Sequence, residues 1–217
     1  MKSLLAVQDR IARAAESAGR DPSTVTLIAV SKTHPIDAIQ EAYDAGHRDF
    51  GESKLQELLP KFEALPTDIR WHFIGKLQSN KAKRAAQLGV VIHTLESTHQ
   101  VREVAKAGRE IDGLIEVNTT NEPQKSGISP EALDELVREV LNCPSIRLRG
   151  LMTLGHAHRN AEQQRPFFRT LRKLNESMGG TWLSMGMSGD FEVAIQEGST
   201  HVRVGTAIFG ERTQLQR

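Results

Sequence analysis

Three segments of this chain bring together residue types that can hold and modify a small anion. An apolar run from Leu183 to Met187 breaks at Ser188-Gly189-Asp190, and a second run, Val202 to Phe209, encloses Arg203-Val204-Gly205-Thr206. Glycines admit close backbone approach and hydroxyls add donors, so each pair suits an anion. The helical pattern from Phe191 to Gln196 would set Ser188 and Gly189 beside the unpaired N–H groups of a helix start, which favour a phosphate dianion. The third segment, Leu27-Ile28-Ala29-Val30-Ser31, closes on Lys32. Free lysine is neutral in only about 0.1% of molecules at neutral pH, but desolvation or a nearby cation lowers its pKa by several units, and the neutral amine forms Schiff bases. An amine facing a phosphate cradle implies a phosphorylated carbonyl ligand. Plainer readings stand beside these: Ser188-Gly189 as an N-cap turn, Gly205-Thr206 as a packing kink, and Lys32 as a snorkelling amine or the partner of Glu52.

Arg203 is the third chemical element. Alternation along an eighth strand would direct it to the side of Gly205, and a buried guanidinium needs a partner, either Glu192, Glu211 or a ligand. If that ligand were pyridoxal phosphate, a donor at the pyridine nitrogen would keep the nitrogen unprotonated and weaken the ring as an electron sink. Polar residues at other strand ends are further pocket candidates: Glu52-Ser53, Gln78 to Lys81, Asn118 and Met152-Thr153. Asn80 and Ser97 also read as helix N-caps.

Elements of two kinds must position these residues. Leu4, Leu5, Val7, Ile11, Ala14, Ala15 and Ala18 recur at helical spacing before Gly19, which predicts a leading helix. Eight short apolar or β-branched runs follow: 26–32, 49–51, 71–75, 90–95, 113–117, 148–153, 182–187 and 202–209. Amphipathic helices lie between them, such as Pro35 to Ala45 ending at Gly46, and Pro130 to Leu141 opening on Ser129 and stopping before Pro144. Strict alternation of eight strands with helices predicts one parallel (β/α)8 TIM barrel with an extra N-terminal helix, occupying residues 1–217 as a single domain. In such barrels the ligand lies at the C-terminal mouth, with phosphate on the loops after the last two strands, where both small-residue pairs fall.

Composition removes several other classes. The chain has 217 residues with 28 Lys and Arg against 27 Asp and Glu, so no broad field steers nucleic acid or an anionic membrane. The basic group Lys76, Lys81, Lys83 and Arg84 lacks interleaved aromatics and reads as a solvated helix face. His156 and His158 have no nearby ligand set for zinc. One cysteine, Cys143, precludes an internal disulfide and fits a reducing compartment. The N-terminus lacks a signal-peptide core and no run approaches eighteen apolar residues, so a cytoplasmic protein is expected, without metal, membrane or nucleic-acid partners.

Taken together, the segments resemble the pyridoxal phosphate homeostasis protein family over nearly the whole chain. They are AVSKTHP (29–35), FGES with QE (50–57), WHFIGKLQSNK (71–81), EVN (116–118), GLM (150–152), LSMGMSGDFEVAI (183–195) and GSTHVRVGTAIFG (198–210). The resemblance implies a barrel like the N-terminal domain of alanine racemase and pyridoxal 5'-phosphate held as an internal aldimine on Lys32. It also implies Arg203 at the pyridine nitrogen, and Ser188, Gly189, Gly205 and Thr206 around the phosphate. The implied role is storage, delivery and regulation of the cofactor without catalysis, acting on amino-acid and vitamin B6 metabolism, with recipient apoenzymes as partners and a monomer as the expected state. Where the family usually reads FGENY this chain has Ser53 and Lys54, so a cofactor contact of the asparagine is lost or passes through water. His34 replaces a lysine of many relatives, leaving Lys125 as a candidate secondary cofactor site. Two enzymatic alternatives remain: an amino-acid racemase, for which Tyr43 is the only tyrosine, and a Schiff-base lyase or aldolase acting on a sugar phosphate, although such barrels generally place the lysine late.

Overall fold

The structure, a computed structural model, describes residues 1–156 and 158–211. Eight parallel strands close in sequence order into a barrel: β1 (Thr26–Val30), β2 (Asp49–Glu52), β3 (Arg70–Phe73), β4 (Val91–Leu95), β5 (Ile111–Glu116), β6 (Ile146–Met152), β7 (Trp182–Met187) and β8 (His201–Val204). Closure is made by β1 on β8, with Thr26 beside His201 and Ala29 beside Val204. The helices are α1 (Lys2–Ser17), α2 (Ile36–Asp44), α3 (Leu55–Ala64), α4 (Ser79–Leu88), α5 (Thr98–Ala105), α6 (Leu133–Leu141), α7 (Ala161–Ser177), α8 (Phe191–Gln196) and α9 (Thr206–Phe209). The alternating β/α pattern thus folds as the TIM barrel expected, with α1 as the additional helix.

Most buried apolar side chains pack between the barrel and its helices, while Val91, Leu114 and Met152 form a separate small cluster with Leu154 and Trp182. Strand alternation explains the division, since Ile92 packs outward against helices and its neighbours Val91 and His93 therefore point into the barrel. Leu4, Val7, Ile11, Ala14 and Ala15 give α1 one buried face. That helix and the turn after it are tied to the last two βα units: Ser3 Oγ donates to the Ile208 carbonyl at 2.6 Å, Arg10 pairs with Glu192, and Arg20, just past the helix, donates to the carbonyls of Ile195 and Ser199. The added helix therefore packs beside the loops after β7 and β8 that carry Ser188-Gly189 and Gly205-Thr206.

Three expectations about boundaries need correction. The apolar run 202–209 is one strand followed by a helical turn: β8 ends at Val204, and the amides of Ile208 and Phe209 donate to the Gly205 carbonyl. An uninterrupted apolar run suits either element, so periodicity alone could not divide it. The first strand stops at Val30, leaving Lys32 two residues beyond it in a turn. Asn80 lies inside the first turn of α4, whose N-cap is Gln78, whereas Ser97 is the N-cap of α5, in a capping box with Gln100.

Candidate functional site

At the C-terminal mouth a cavity of about 270 Å³ is lined by Lys32, Ser53, Ser188, Gly189, Arg203, Gly205 and Thr206, with Val30, Ile74, Leu154 and Met187 as its apolar walls. Seven of the nine residues expected at a site converge on it. The other two do not. Met152 is fully buried in the small interior cluster, and the Asn118 side chain shapes its own loop, donating to the Glu122 carbonyl and accepting from the amide and hydroxyl of Thr120. Strand-end position pointed to these two, and it does not distinguish a residue that faces the mouth from one that packs or turns.

The Lys32 turn is held from outside the cavity. Thr33 has a positive φ of 66°, uncommon for a β-branched residue, and its amide donates to Glu57 Oε2 at 2.8 Å. Just before it, the Ser31 carbonyl accepts from Lys61 Nζ at 2.9 Å, and Lys61 also pairs with Glu52 Oε1 at 2.7 Å. Ser31 Oγ donates to the same carboxylate oxygen at 2.7 Å. Glu52, weighed in the sequence as a partner for Lys32, thus has Lys61 as its ion-pair partner. Burial raises the Glu52 pKa despite the opposing pull of Lys61 and Ser31. Lys61 was missed because position 61 in an amphipathic helix reads as surface, yet it is only 6% exposed.

On the opposite wall, the turn after β7 is closed by Asp190, whose Oδ1 accepts from the Met187 amide at 2.6 Å while its own amide donates to the Met187 carbonyl. Ser188 and Gly189 form the bend between those bonds and precede α8. A Cβ at Gly189 would meet nothing within 4 Å, so that backbone faces open space. A Cβ at Gly205 would lie 3.1 Å from the Val30 carbonyl, a close approach between the first and last strands. A side chain here would have to push the Val30 carbonyl aside by a few tenths of an ångström, so glycine eases barrel closure at this point.

Arg203 forms the inner wall and is 3% exposed. It donates to Ser184 Oγ at 2.7 Å and to the Thr153 carbonyl at 2.8 Å, and Glu192 pairs instead with Arg10. Burial lowers its pKa to about 10, opposed by Asp190 and Glu116, so the guanidinium stays charged at neutral pH. Thr153, taken as a pocket residue, holds the arginine through its backbone. Ser184, unnoticed in the sequence, is the hydroxyl directly behind the cation.

The remaining candidates lie elsewhere. Lys125, in the loop after β5, pairs with Glu122 and donates to the Gly155 carbonyl. His156 approaches Glu122 at 3.7 Å, and among the described residues no group of three or more His, Cys, Asp or Glu is arranged for a metal. No helix of the described residues is long and apolar enough to cross a membrane. Cys143 is a buried free thiol. Tyr43, on α2, donates its hydroxyl to Asp68 at 2.7 Å.

The cavity thus presents one amine, one end built of small donors, and one buried cation behind apolar walls. Its volume is near the lower end of ligand pockets, about 300–1,000 Å³, which suits a single-ring ligand bearing a carbonyl and a phosphate. Barrel and site place the chain in a class of protein that its sequence also matches: the alanine racemase N-terminal domain, over residues 3–213. Within that class it is 44% identical to the "pyridoxal phosphate homeostasis protein" of Aquifex aeolicus over 95% of both chains. It is likewise 44% identical to the protein of that name from Pseudomonas aeruginosa, over 97% of this chain and 95% of the other. The chain belongs to the pyridoxal phosphate homeostasis protein family. Among solved structures it superposes on PipY of Synechococcus elongatus, solved with PLP bound, at a TM-score of 0.81 with 33% identity, covering 94% of this chain and 100% of that one.

Proposed function

We propose that this chain is a pyridoxal 5'-phosphate-binding homeostasis protein, without catalytic activity, that stores and delivers the cofactor and regulates its level in the cytoplasm. One observation carries the reading: Lys32, Arg203, Ser188, Gly189, Gly205 and Thr206, drawn from both ends of the sequence, line one small cavity. Lys32 is the point of covalent attachment, Ser188, Gly189, Gly205 and Thr206 receive the phosphate, and Arg203 faces the ring nitrogen. Ser53 lines the ring side. Bound pyridoxal phosphate supplies an aldehyde for condensation with amines and a conjugated ring that withdraws electrons. Arg203 is already held by Ser184 and Thr153 and stays charged, so it offers a hydrogen-bond donor and withholds the proton that would strengthen the ring as an electron sink. Binding and orientation are supported by these residues more than proton transfer is. Residues 1–217 act as one such domain, working as a monomer with recipient apoenzymes as partners.

The test is the absorbance of the purified protein loaded with pyridoxal phosphate, before and after borohydride, followed by peptide mapping. The expected adduct is on Lys32. An unmodified Lys32 beside a labelled Lys54 or Lys125 overturns the site. Efficient, saturable racemisation of an L- or D-amino acid, abolished by Lys32→Ala, overturns the non-catalytic role.

A further inference from the structure

Behind Arg203 a line of polar side chains crosses the barrel interior. Arg203 donates to Ser184 Oγ at 2.7 Å, Ser184 Oγ lies 2.9 Å from His93 Nδ1, and His93 Nε2 lies 2.9 Å from His72 Nδ1. His72 Nε2 in turn lies 2.9 Å from Asp49 Oδ1. Asp49 opens β2 at the opposite end of the barrel, where it lines a separate cleft with His47, Arg48 and Thr26. Ser184, His93 and His72 are fully buried. None of the three touches the cavity, and none was singled out by the sequence.

The two ends fix the direction of every bond between them. Asp49, its pKa lowered by His72 and Arg70 against the opposing effect of burial, is a carboxylate and can only accept. His72 therefore donates from Nε2, and as a neutral ring it must accept at Nδ1. His93 must then donate from Nε2 and accept at Nδ1, which leaves the Ser184 hydroxyl to donate to His93. Ser184 oxygen is free to accept, and a guanidinium can only donate. Each link holds one proton and no link has two.

We propose that Ser184, His93 and His72 are positioning residues for Arg203: a one-way hydrogen-bond chain anchored on Asp49 fixes the guanidinium so that its remaining N–H groups face the cavity. The inference rests on the proposed function for its ligand, but the order of the chain does not. The rings stay neutral because burial disfavours their charge, an effect that the groups around His93 reinforce and that outweighs the opposing pull of the carboxylates near His72. His93 faces His72, His201 and Arg203, all of which disfavour its protonation; at His72 burial and Arg70 disfavour the charge while Asp49 and Asp112 favour it, and burial is the largest effect.

Nitrogen-15 NMR of the histidines in the ligand-free protein tests the order directly. Both His72 and His93 should be neutral and protonated at Nε2 at pH 7, with coupling across the bond from His93 Nε2 to His72 Nδ1. Protonation of either ring at Nδ1 overturns the chain. For the coupling to the site, Ser184→Ala titrated with pyridoxal phosphate should bind about tenfold more weakly, the worth of one hydrogen bond to a charged group. The absorbance maximum of its bound cofactor should also move. His93→Gln, whose amide can both accept from Ser184 and donate to His72, should bind nearer to the parent than His93→Leu, which covers the case of an unfolded Ser184→Ala. Parent-like affinity and spectrum in both Ser184→Ala and His93→Leu overturn the positioning role. A parent protein that takes up no pyridoxal phosphate removes the proposed function and leaves the NMR assignment standing.

Discussion

Lys61 reaches from α3 beneath the Lys32 turn, where its amine meets both the Ser31 carbonyl and Glu52. Removing one member of a buried ion pair strands the other, at a cost of about 3–5 kcal/mol, whereas replacing both with apolar groups is often neutral. Lys61→Met should therefore lower the free energy of unfolding in urea by that amount, and Lys61→Met combined with Glu52→Leu should recover most of it. A double variant no better than the single would show that the amine matters through Ser31 alone. The same pair marks what was legible at this scale. Lys32, Arg203 and the Ser-Gly and Gly-Thr pairs could be read because they interrupt apolar runs, where a polar residue must be used or partnered. Lys61 and Ser184 support them from positions whose neighbours look ordinary, and His72 and His93 alternate along strands as exposed residues would. Partnership across the barrel has no signature along the chain.

Between α4 and α5 the difference between a cap and a first-turn residue can be measured. Ser97 Oγ accepts from the Gln100 amide at 3.3 Å and the Gln100 side chain returns to the Ser97 amide, while Asn80 has no such position. Ser97→Ala should cost about 1 kcal/mol and Asn80→Ala under about 0.5 kcal/mol by thermal or chemical denaturation. Equal losses would remove the distinction. The loops after β2 and β3 couple more tightly to the cavity. A Cβ on Gly75 would sit 2.1 Å from the Ser53 carbonyl oxygen and 2.6 Å from its Cα, both backbone atoms that cannot swing aside. Gly75→Ala should destabilise by about 1–3 kcal/mol and weaken pyridoxal phosphate binding, because Ser53 lines the site. A stable variant with undiminished affinity would show that Ser53 can shift without consequence. Neither contact could be foreseen, since Gly75 read only as the end of a strand and its loop partner lies in the preceding βα unit.

Across the whole barrel, closure was legible because each βα unit repeats the same alternation, but the content of the interior was not. Four buried histidines, His47, His72, His93 and His201, make that interior acid-sensitive. Burial lowers the pKa of each, taking His201 from 6.5 to about 3 and His93 well below its ordinary value. Unfolded histidines bind protons below about pH 6.5 and folded ones with depressed pKa values bind fewer, so the unfolded state carries more protons there. Stability is therefore fully present above pH 6.5 and falls as pH drops through that value. For His201 the fall continues to about pH 3, where the folded ring also charges. Each ring contributes a slope of about 1.4 kcal/mol per pH unit, and a domain of ordinary stability, about 5–15 kcal/mol, cannot sustain several such slopes for long. Thermal melts at constant ionic strength should be flat from pH 8 to 7 and drop steeply below 6.5. Calorimetry in buffers of different ionisation enthalpy at pH 5.5 should find a net uptake on unfolding, about two protons from His93 and His201 alone. An uptake near zero, or a melting temperature unchanged at pH 5, would mean that the interior histidines are already charged in the folded protein. The ordered chain behind Arg203 would then lose its neutral rings.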